Sequence, residues 1–147
     1  MTIILVRHAE KDVSAGAGKS NPELTAAGAQ RAARLFEIVK PFQPEYIFST
    51  TLQRTINTAV PSAENLIPNY RMQIQFYDYG ELDEFAAKLL KLKTKSVLVV
   101  GHNTTTPELA NLLIGKKKYQ ALGDNEYDKM FIIKIKDGKI ADKMIEY

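Results

Sequence analysis

Two short runs of aliphatic residues each lead into a histidine. Residues 3–6 are aliphatic and are followed at once by Arg7 and His8. Residues 97–100 are aliphatic too and are followed, after one glycine, by His102. Unbroken apolar runs of this length are typical of strands buried on both faces of a parallel sheet, and ligands of such sheets bind at the carboxyl ends of the strands. The pattern therefore predicts that both histidines of the chain lie at one edge of a sheet.

The remaining periodicity predicts strands and helices in alternation. The predicted strands cover residues 2–8, 45–49, 71–77, 96–101, 130–136 and 139–146. The predicted helices run from the N-cap Thr25 to Pro41, through the segment with Arg54, over residues 82–92, and from a cap at Thr105 or Thr106 to Gly115. This order favours a three-layer α/β/α fold with a mostly parallel sheet of about six strands. The Asp-Gly pair at 137–138 predicts that the last two strands form an antiparallel hairpin.

Composition narrows the class of protein. The chain of 147 residues is 45% hydrophobic and 25% charged, which is ordinary for one globular domain over residues 1–147. A net charge of +3 is too mild to favour nucleic acid as a partner, and the basic run 116–118 is typical of a solvated helix end. The chain has no cysteine, no leader pattern and no apolar stretch that could span a membrane, so we expect a cytoplasmic protein without disulfides or thiol chemistry.

Arg54 adds a second cation to the predicted edge. It follows the strand 45–49 within the first turns of a helix, where a cation opposes the helix dipole, so an anion-binding role is favoured over a surface arginine. Arg7, His8, Arg54 and His102 should then converge. Two guanidiniums would repel a metal ion, which makes a metal site through His8, His102 and Glu10 the weaker alternative. A phosphoryl group matches the guanidinium forks.

Four motifs resemble, in order, those of the histidine phosphatase superfamily, the phosphoglycerate mutase-like proteins. They are residues 5–10 (LVRHAE), 24–28 (LTAAG) with 31–32 (RA), 49–55 (STTLQRT) with 58–59 (TA), and 99–103 (VVGHN). The resemblance covers about residues 1–115 and implies the phosphoglycerate mutase-like fold. The short chain and its Arg-His-Ala sequence are similar to the smallest members, which dephosphorylate phosphohistidine on proteins.

The resemblance implies a role for each matching residue. His8 would be the nucleophile and would become a transient phosphohistidine, while Arg7 and Arg54 would bind the phosphoryl oxygens. His102 would contact the phosphoryl group from the other side, and Asn103 would help to shape the phosphate pocket. The reaction would need no metal and no organic cofactor, and the partner would be a phosphorylated protein or small molecule.

The general acid is left open between two carboxylates. Larger family members place an acid just after the third strand. In this chain Asp78 is the first candidate there and Glu81 the second, although both residue types are also common in turns and at helix starts.

The pocket is expected to be open, because residues 61–95 have room for only one strand and one helix. An open pocket suits a phosphoprotein or an accessible small phosphoester. The alternatives are a non-catalytic phosphate-binding regulatory module and, disfavoured by size, a phosphoglycerate mutase.

Overall fold

A six-stranded mixed sheet forms the middle of the molecule. The computed structural model describes residues 1–14, 20–66 and 74–147. Its strands are β1 (Thr2–Arg7), β2 (Tyr46–Ser49), β3 (Gln75–Phe76), β4 (Ser96–Gly101), β5 (Lys129–Lys136) and β6 (Lys139–Glu146). Their order in the sheet is β3-β2-β4-β1-β5-β6. The pairs β3-β2, β2-β4 and β4-β1 are parallel, whereas β5 is antiparallel to both β1 and β6. The predicted fold class and C-terminal hairpin are confirmed.

Helices cover both faces of this sheet. They are α1 (Ala26–Val39), extended by a short 3-10 helix (Lys40–Phe42), then α2 (Gln53–Leu66), α3 (Leu82–Lys91) and α4 (Thr105–Ile114). Side chains alternate along a strand, so β1 contributes Ile3 and Leu5 to the core under α3 and α4. The intervening Ile4 and Val6 join the core under α1 and α2. Strands apolar on both faces therefore form two cores and three layers.

The register of β1 and β4 brings the two histidine segments together. Arg7 lies opposite Gly101 in the parallel pair, so the residues that follow each strand are also neighbours. The backbone N–H of His8 donates to the carbonyl of Gly101 at 2.8 Å, which continues the pairing one residue past the strand. A Cβ on Gly101 would lie 2.7 Å from the Tyr77 hydroxyl, so the close packing here favours glycine.

Two local predictions needed correction. The prediction of Thr105 or Thr106 as the cap of α4 was wrong, because Thr104 is the N-cap and makes no side-chain cap bond. The Thr105 hydroxyl instead accepts from the His102 N–H at 3.2 Å, and the Thr106 hydroxyl donates to the carbonyl of Val6 at 3.3 Å. The third strand covers only Gln75–Phe76, while residues 71–73 of the prediction lie outside the described residues.

The start of α1 follows the prediction. Thr25 caps it by accepting a hydrogen bond from the N–H of Gly28 at 3.0 Å. Pro41 lies in the 3-10 helix that ends this segment. In the described parts of the chain, no helix combines the length and the apolar character needed to cross a bilayer.

Candidate active site

His8 and His102 face each other at the carboxyl edge of the sheet. Their ring centroids are 5.6 Å apart at an interplanar angle of 64°. His8 is 2% exposed and His102 is 8% exposed, so both imidazoles lie at the bottom of the site rather than on its surface. The pairing of β1 with β4 is what sets this distance.

A backbone carbonyl fixes the tautomer of His8. The Nδ1 atom lies 2.7 Å from the carbonyl oxygen of Ala9. A carbonyl only accepts hydrogen bonds, so Nδ1 must carry the proton. In the neutral imidazole the Nε2 atom then keeps its lone pair, which is the state that a nucleophile needs.

A chain of hydroxyls orients His102. The Thr55 hydroxyl donates to the carbonyl of Leu52 at 2.8 Å, and its oxygen lies 2.7 Å from the Thr50 hydroxyl. Since the one proton of Thr55 is used, Thr50 must donate to Thr55, and its oxygen is left to accept. The Nε2 atom of His102, at 3.1 Å from Thr50, is therefore the donor of that contact.

Arg7 is held by a loop from the far end of the sequence. Its Nη1 atom donates to the carbonyls of Gly123 and Asp124 at 3.0 Å and of Glu126 at 2.9 Å. The guanidinium carbon lies 4.0 Å from the ring centroid of Tyr127, a cation–π contact. The Nε atom is buried and has no hydrogen-bond partner. One edge of the guanidinium is thus fixed, while a donor remains for a ligand.

Arg54 has an unused donor as well. Its Nε atom is buried without a hydrogen-bond partner. The Thr58 hydroxyl donates to the carbonyl of Arg54 at 2.7 Å and accepts from the N–H of Ala9 at 2.8 Å, which ties the start of α2 to the end of β1. Among the residues that the structure describes, no carboxylate lies within salt-bridge distance of Arg7 or Arg54.

The electrostatics of the site favour an anion. Burial, followed by the charges of Arg7 and Arg54, lowers the pKa of His8 to about 3. Burial and the same two arginines lower the pKa of His102 to about 4. Burial also lowers the pKa of both arginines from the ordinary value, though a guanidinium remains charged near neutral pH. The side chains of Arg7, His8, Arg54 and His102, called the hollow below, are therefore two guanidiniums without a carboxylate partner among the described residues and two neutral imidazoles.

Glu10, the carboxylate of the metal alternative, is engaged elsewhere. The Nε atom of Arg31 donates to its two oxygens at 2.9 and 3.0 Å, and Nη2 lies 2.8 Å from Oε1. Among the described residues, no group of three or more His, Asp or Glu side chains is placed to hold a metal ion. Glu10 is thus paired with Arg31, whereas Arg7 and Arg54 each keep a guanidinium donor for an anion.

The structure places the acid candidates at an exposed turn. Asp78 and Glu81 are both exposed, and Oδ1 of Asp78 accepts from the N–H of Gly80 at 2.8 Å. They line a cavity of about 520 Å³ together with Phe76, Tyr77, Glu84, Phe85 and Lys88. No arginine or histidine is among these described lining residues. Asn103 lies next to the site, with Nδ2 at 3.5 Å from the carbonyl of Leu122, so its amide is directed at the loop that holds Arg7.

Sequence reasoning missed four side chains of the site. Thr50 and Thr58 belong to the motif around Arg54. Thr50 directly follows β2 and Thr58 lies on α2, and these positions were the signal that their hydroxyls form hydrogen bonds in the site. Tyr79 packs edge-on against His102 with ring centroids 5.1 Å apart, and Tyr127 lies 6.0 Å from the His8 ring. Both tyrosines are in stretches that looked like plain turn and loop, which offered no local signal.

Comparison with known proteins agrees with this site. The family model described as histidine phosphatase superfamily (branch 1) matches residues 3–86, a segment that includes Arg7, His8 and Arg54. The chain belongs to this superfamily. It is a phosphatase. A search of curated protein sequences gives no match.

Several solved structures of phosphatases match this chain over nearly the whole length of both chains. The protein histidine phosphatase SixA complexed with tungstate has a TM-score of 0.75 and 16% identity, covering 99% of this chain and 97% of that chain. The mycobacterial glucosyl-3-phosphoglycerate phosphatase in complex with VO3 has a TM-score of 0.73 and 15% identity, covering 99% and 98%. The alpha-ribazole phosphatase from Shigella flexneri has a TM-score of 0.75 and 14% identity, covering 100% and 96%. At these identities the likeness is one of fold.

Proposed function

We propose that the protein is a metal-independent phosphohydrolase that works through a phosphohistidine on His8. The observation that carries this proposal is the state of the His8 ring. It is buried, its Nδ1 is committed to the carbonyl of Ala9 at 2.7 Å, and Nε2 keeps its lone pair. Such a ring beside two guanidiniums with free donors is a nucleophile at an anion site.

The reaction consists of two displacements at phosphorus. First, Nε2 of His8 attacks the phosphoryl group, a P–N bond forms, and the bond to the leaving oxygen or nitrogen breaks. The leaving atom takes the bonding electron pair and a proton from water or an acidic side chain. Second, a water molecule attacks phosphorus from the side opposite to Nε2 and loses a proton. The P–N bond breaks, inorganic phosphate is released, and His8 regains its lone pair.

The cations stabilise the group in transit. Charge spreads over the three equatorial oxygens during each displacement, and fixed guanidiniums at those oxygens lower the barrier. Arg7 suits this role because the carbonyls of residues 123–126 hold one of its nitrogens in place. Arg54 supplies the second donor set, and His102 contacts the phosphoryl group across from His8 once its Nδ1 atom takes up a proton beside the bound anion. Asn103 positions the loop that carries the carbonyl partners of Arg7.

The substrate proposed is a phosphoprotein, phosphohistidine included, or an accessible small phosphoester. The similar structures include a protein histidine phosphatase and a phosphatase of a small phosphorylated compound, so the fold accommodates both. Asp78 and Glu81 remain the candidates for the acid, with Asp78 first. A phosphoramidate leaving group needs less help from an acid than an alkoxide does.

The test is hydrolysis of p-nitrophenyl phosphate in the presence of EDTA. The wild type should turn over, and His8→Ala should lose activity by at least about 10³-fold, because the covalent route is closed. A denaturing quench of the wild type should trap phosphate on one histidine, in an acid-labile bond that His8→Ala lacks. Equal turnover by both proteins would contradict the nucleophile assignment. Binding of tungstate by a wild type that never turns over would instead identify the non-catalytic phosphate-binding module.

A further inference from the structure

A tyrosine ring lies against each of the two histidines. Tyr79, in the turn before α3, has its ring centroid 5.1 Å from that of His102 at an angle of 69°. Tyr127, in the loop before β5, has its ring centroid 6.0 Å from that of His8 at an angle of 60°. Two distant segments of the chain thus bring one aromatic ring each to the same hollow.

Both phenols also lie near the same guanidinium. Tyr79 and Tyr127 both lie within electrostatic range of Arg54, and the guanidinium carbon of Arg7 lies 4.0 Å from the ring centroid of Tyr127. The two rings therefore border the anion site itself and not a neighbouring surface.

These rings have surface to offer to a ligand. Tyr79 is 47% exposed and Tyr127 is half-buried, and neither belongs to the buried members of the two cores. Within the described part of the chain, neither phenol oxygen has a hydrogen-bond partner.

We propose that Tyr79, on the His102 side, forms a leaving-group subsite that selects a phosphoryl group carried on a planar ring. The chemical class is an aryl phosphate or an N-phosphorylated imidazole, as opposed to an alkyl phosphate. The proposal rests on the function proposed above, because it takes the phosphoryl group to lie at His8. An in-line displacement directs the leaving group away from His8, and a planar ring there gains offset or edge contacts with Tyr79 that an alkyl chain cannot match.

The test compares selectivity and not rate. The ratio of kcat/KM for phenyl phosphate to kcat/KM for glycerol 2-phosphate is measured for the wild type, Tyr79→Leu and Tyr79→Phe. The difference in leaving-group reactivity is the same for every variant, so it cancels when the ratios are compared. Tyr79→Leu should lower the ratio by about three- to tenfold, whereas Tyr79→Phe keeps the ring and should stay within about twofold. Phosphoimidazole as a third substrate tells whether the preferred ring is an aryl ester or an imidazole.

Equal losses for both substrates in Tyr79→Leu would overturn the proposal, because the ring would then only support His102. No change in kcat/KM for either substrate would overturn it too, because the ring would not meet the leaving group. Tyr127→Leu is not used as the deciding variant, since it also removes the ring beneath Arg7.

Binding separates this proposal from the proposed function. Phenylphosphonate and methylphosphonate have a P–C bond that is not hydrolysed, and calorimetry measures their affinity without any turnover. The wild type should bind phenylphosphonate more tightly, and Tyr79→Leu should lose about three- to tenfold of that preference. A preference for phenylphosphonate in a protein that shows no turnover would support the Tyr79 subsite and contradict the proposed phosphohydrolase activity. Turnover through His8 without such a preference would support the activity and contradict the subsite.

Discussion

At the scale of residues, the site is made of groups that the fold leaves without partners. The Nε atoms of Arg7 and Arg54 are buried and unpaired, and both imidazoles are kept neutral by burial beside those cations. An unpaired buried donor costs free energy, so these two arginines are a local weakness of the folded state. The same groups are ready to bind a tetrahedral anion without rearrangement.

Replacing Arg54 by methionine should therefore separate stability from activity. Arg54→Met removes an unpaired, partly buried cation and keeps the length of the side chain, so the free energy of unfolding should rise by about 1 kcal/mol. In the same variant kcat/KM should fall by roughly 10²–10³-fold, because a donor to the transferring group is lost. Urea denaturation in phosphate-free buffer and steady-state kinetics measure the two effects.

Arg34→Met is the matched control, since Arg34 is exposed on α1. It should leave both quantities nearly unchanged. A clear loss of stability in Arg54→Met would contradict the view that this guanidinium is uncompensated in the free protein.

The histidines predict how stability depends on pH. The pKa is about 3 for His8 and about 4 for His102 in the folded state, both below the ordinary value of 6.5. Between pH 6.5 and 4 the unfolded chain binds protons that the folded chain does not, so the free energy of unfolding should fall as the pH falls. Each histidine contributes a slope of up to about 1.4 kcal/mol per pH unit in that window.

Urea titrations of the wild type and of His8→Asn, in phosphate-free buffer, check this expectation. Protonation of carboxylates destabilises both proteins alike, so the difference between the two slopes isolates His8. The slope of His8→Asn should be the smaller one. Parallel curves between pH 6.5 and 4 would show that His8 is not held neutral.

At the scale of elements, close contacts fix how β1, α1 and α2 meet around the site. Thr58 joins the carbonyl of Arg54 on α2 to the N–H of Ala9 past β1. Gly28, in the first turn of α1, is packed so closely that a Cβ there would lie 2.3 Å from the carbonyl oxygen of Glu10. Real Cβ atoms do not approach a backbone oxygen to that distance, so α1 would have to move.

Gly28→Ala should therefore destabilise the protein although it adds a good helix former. Helix propensity alone predicts a gain of about 1 kcal/mol for this change. The contact with the Glu10 backbone should outweigh it and lower the free energy of unfolding by about 1–3 kcal/mol. Chemical denaturation measures the change.

Ala27→Gly, one residue earlier on the exposed side of α1, is the matched control. It should cost about 1 kcal/mol through propensity alone. A Gly28→Ala variant as stable as the wild type would show that α1 is free to shift away from Glu10.

At the scale of the whole molecule, the site joins the two ends of the chain. Arg7, at the end of the first strand, is held by carbonyls of residues 123–126, more than 110 positions away. Arg31 makes a similar connection, because it pairs with Glu10 and donates to the carbonyl of Tyr147 at 2.8 Å. The hollow therefore exists only when the complete sheet has formed.

An anion that fills the hollow should stabilise the whole fold. We expect tungstate to bind the folded state and not the unfolded chain, so at a concentration of about 100 times its Kd it should raise the free energy of unfolding by about 2.7 kcal/mol. Arg54→Met should show little of this increase at the same concentration. Denaturation curves with and without tungstate measure it, and an equal gain in both proteins would mean that the anion binds elsewhere.

Much of this fold is present in local sequence pattern. The aliphatic runs 3–6 and 97–100 predicted strands buried on both faces, and Asp137-Gly138 predicted the hairpin. These predictions succeed because apolar runs and turn residues determine the conformation of the backbone next to them. The boundary of α4 was missed for a related reason: the hydroxyls of Thr105 and Thr106 bind strand-end backbone instead of capping the helix. Long-range partners of a side chain are invisible to a local pattern.

Local pattern along the chain was enough to predict most of the strands and helices and to recognise the family motifs. It also placed Arg7, His8, Arg54 and His102 just after strand ends. The contacts that adjust these side chains came from the folded structure: Ala9 fixes the tautomer of His8, Thr50 orients His102, and a distant loop holds Arg7. The tyrosine rings beside both histidines were decided there as well. The physical reason is range: backbone conformation follows from adjacent residues, whereas these contacts depend on the register of strands and the path of loops that are far apart in the chain.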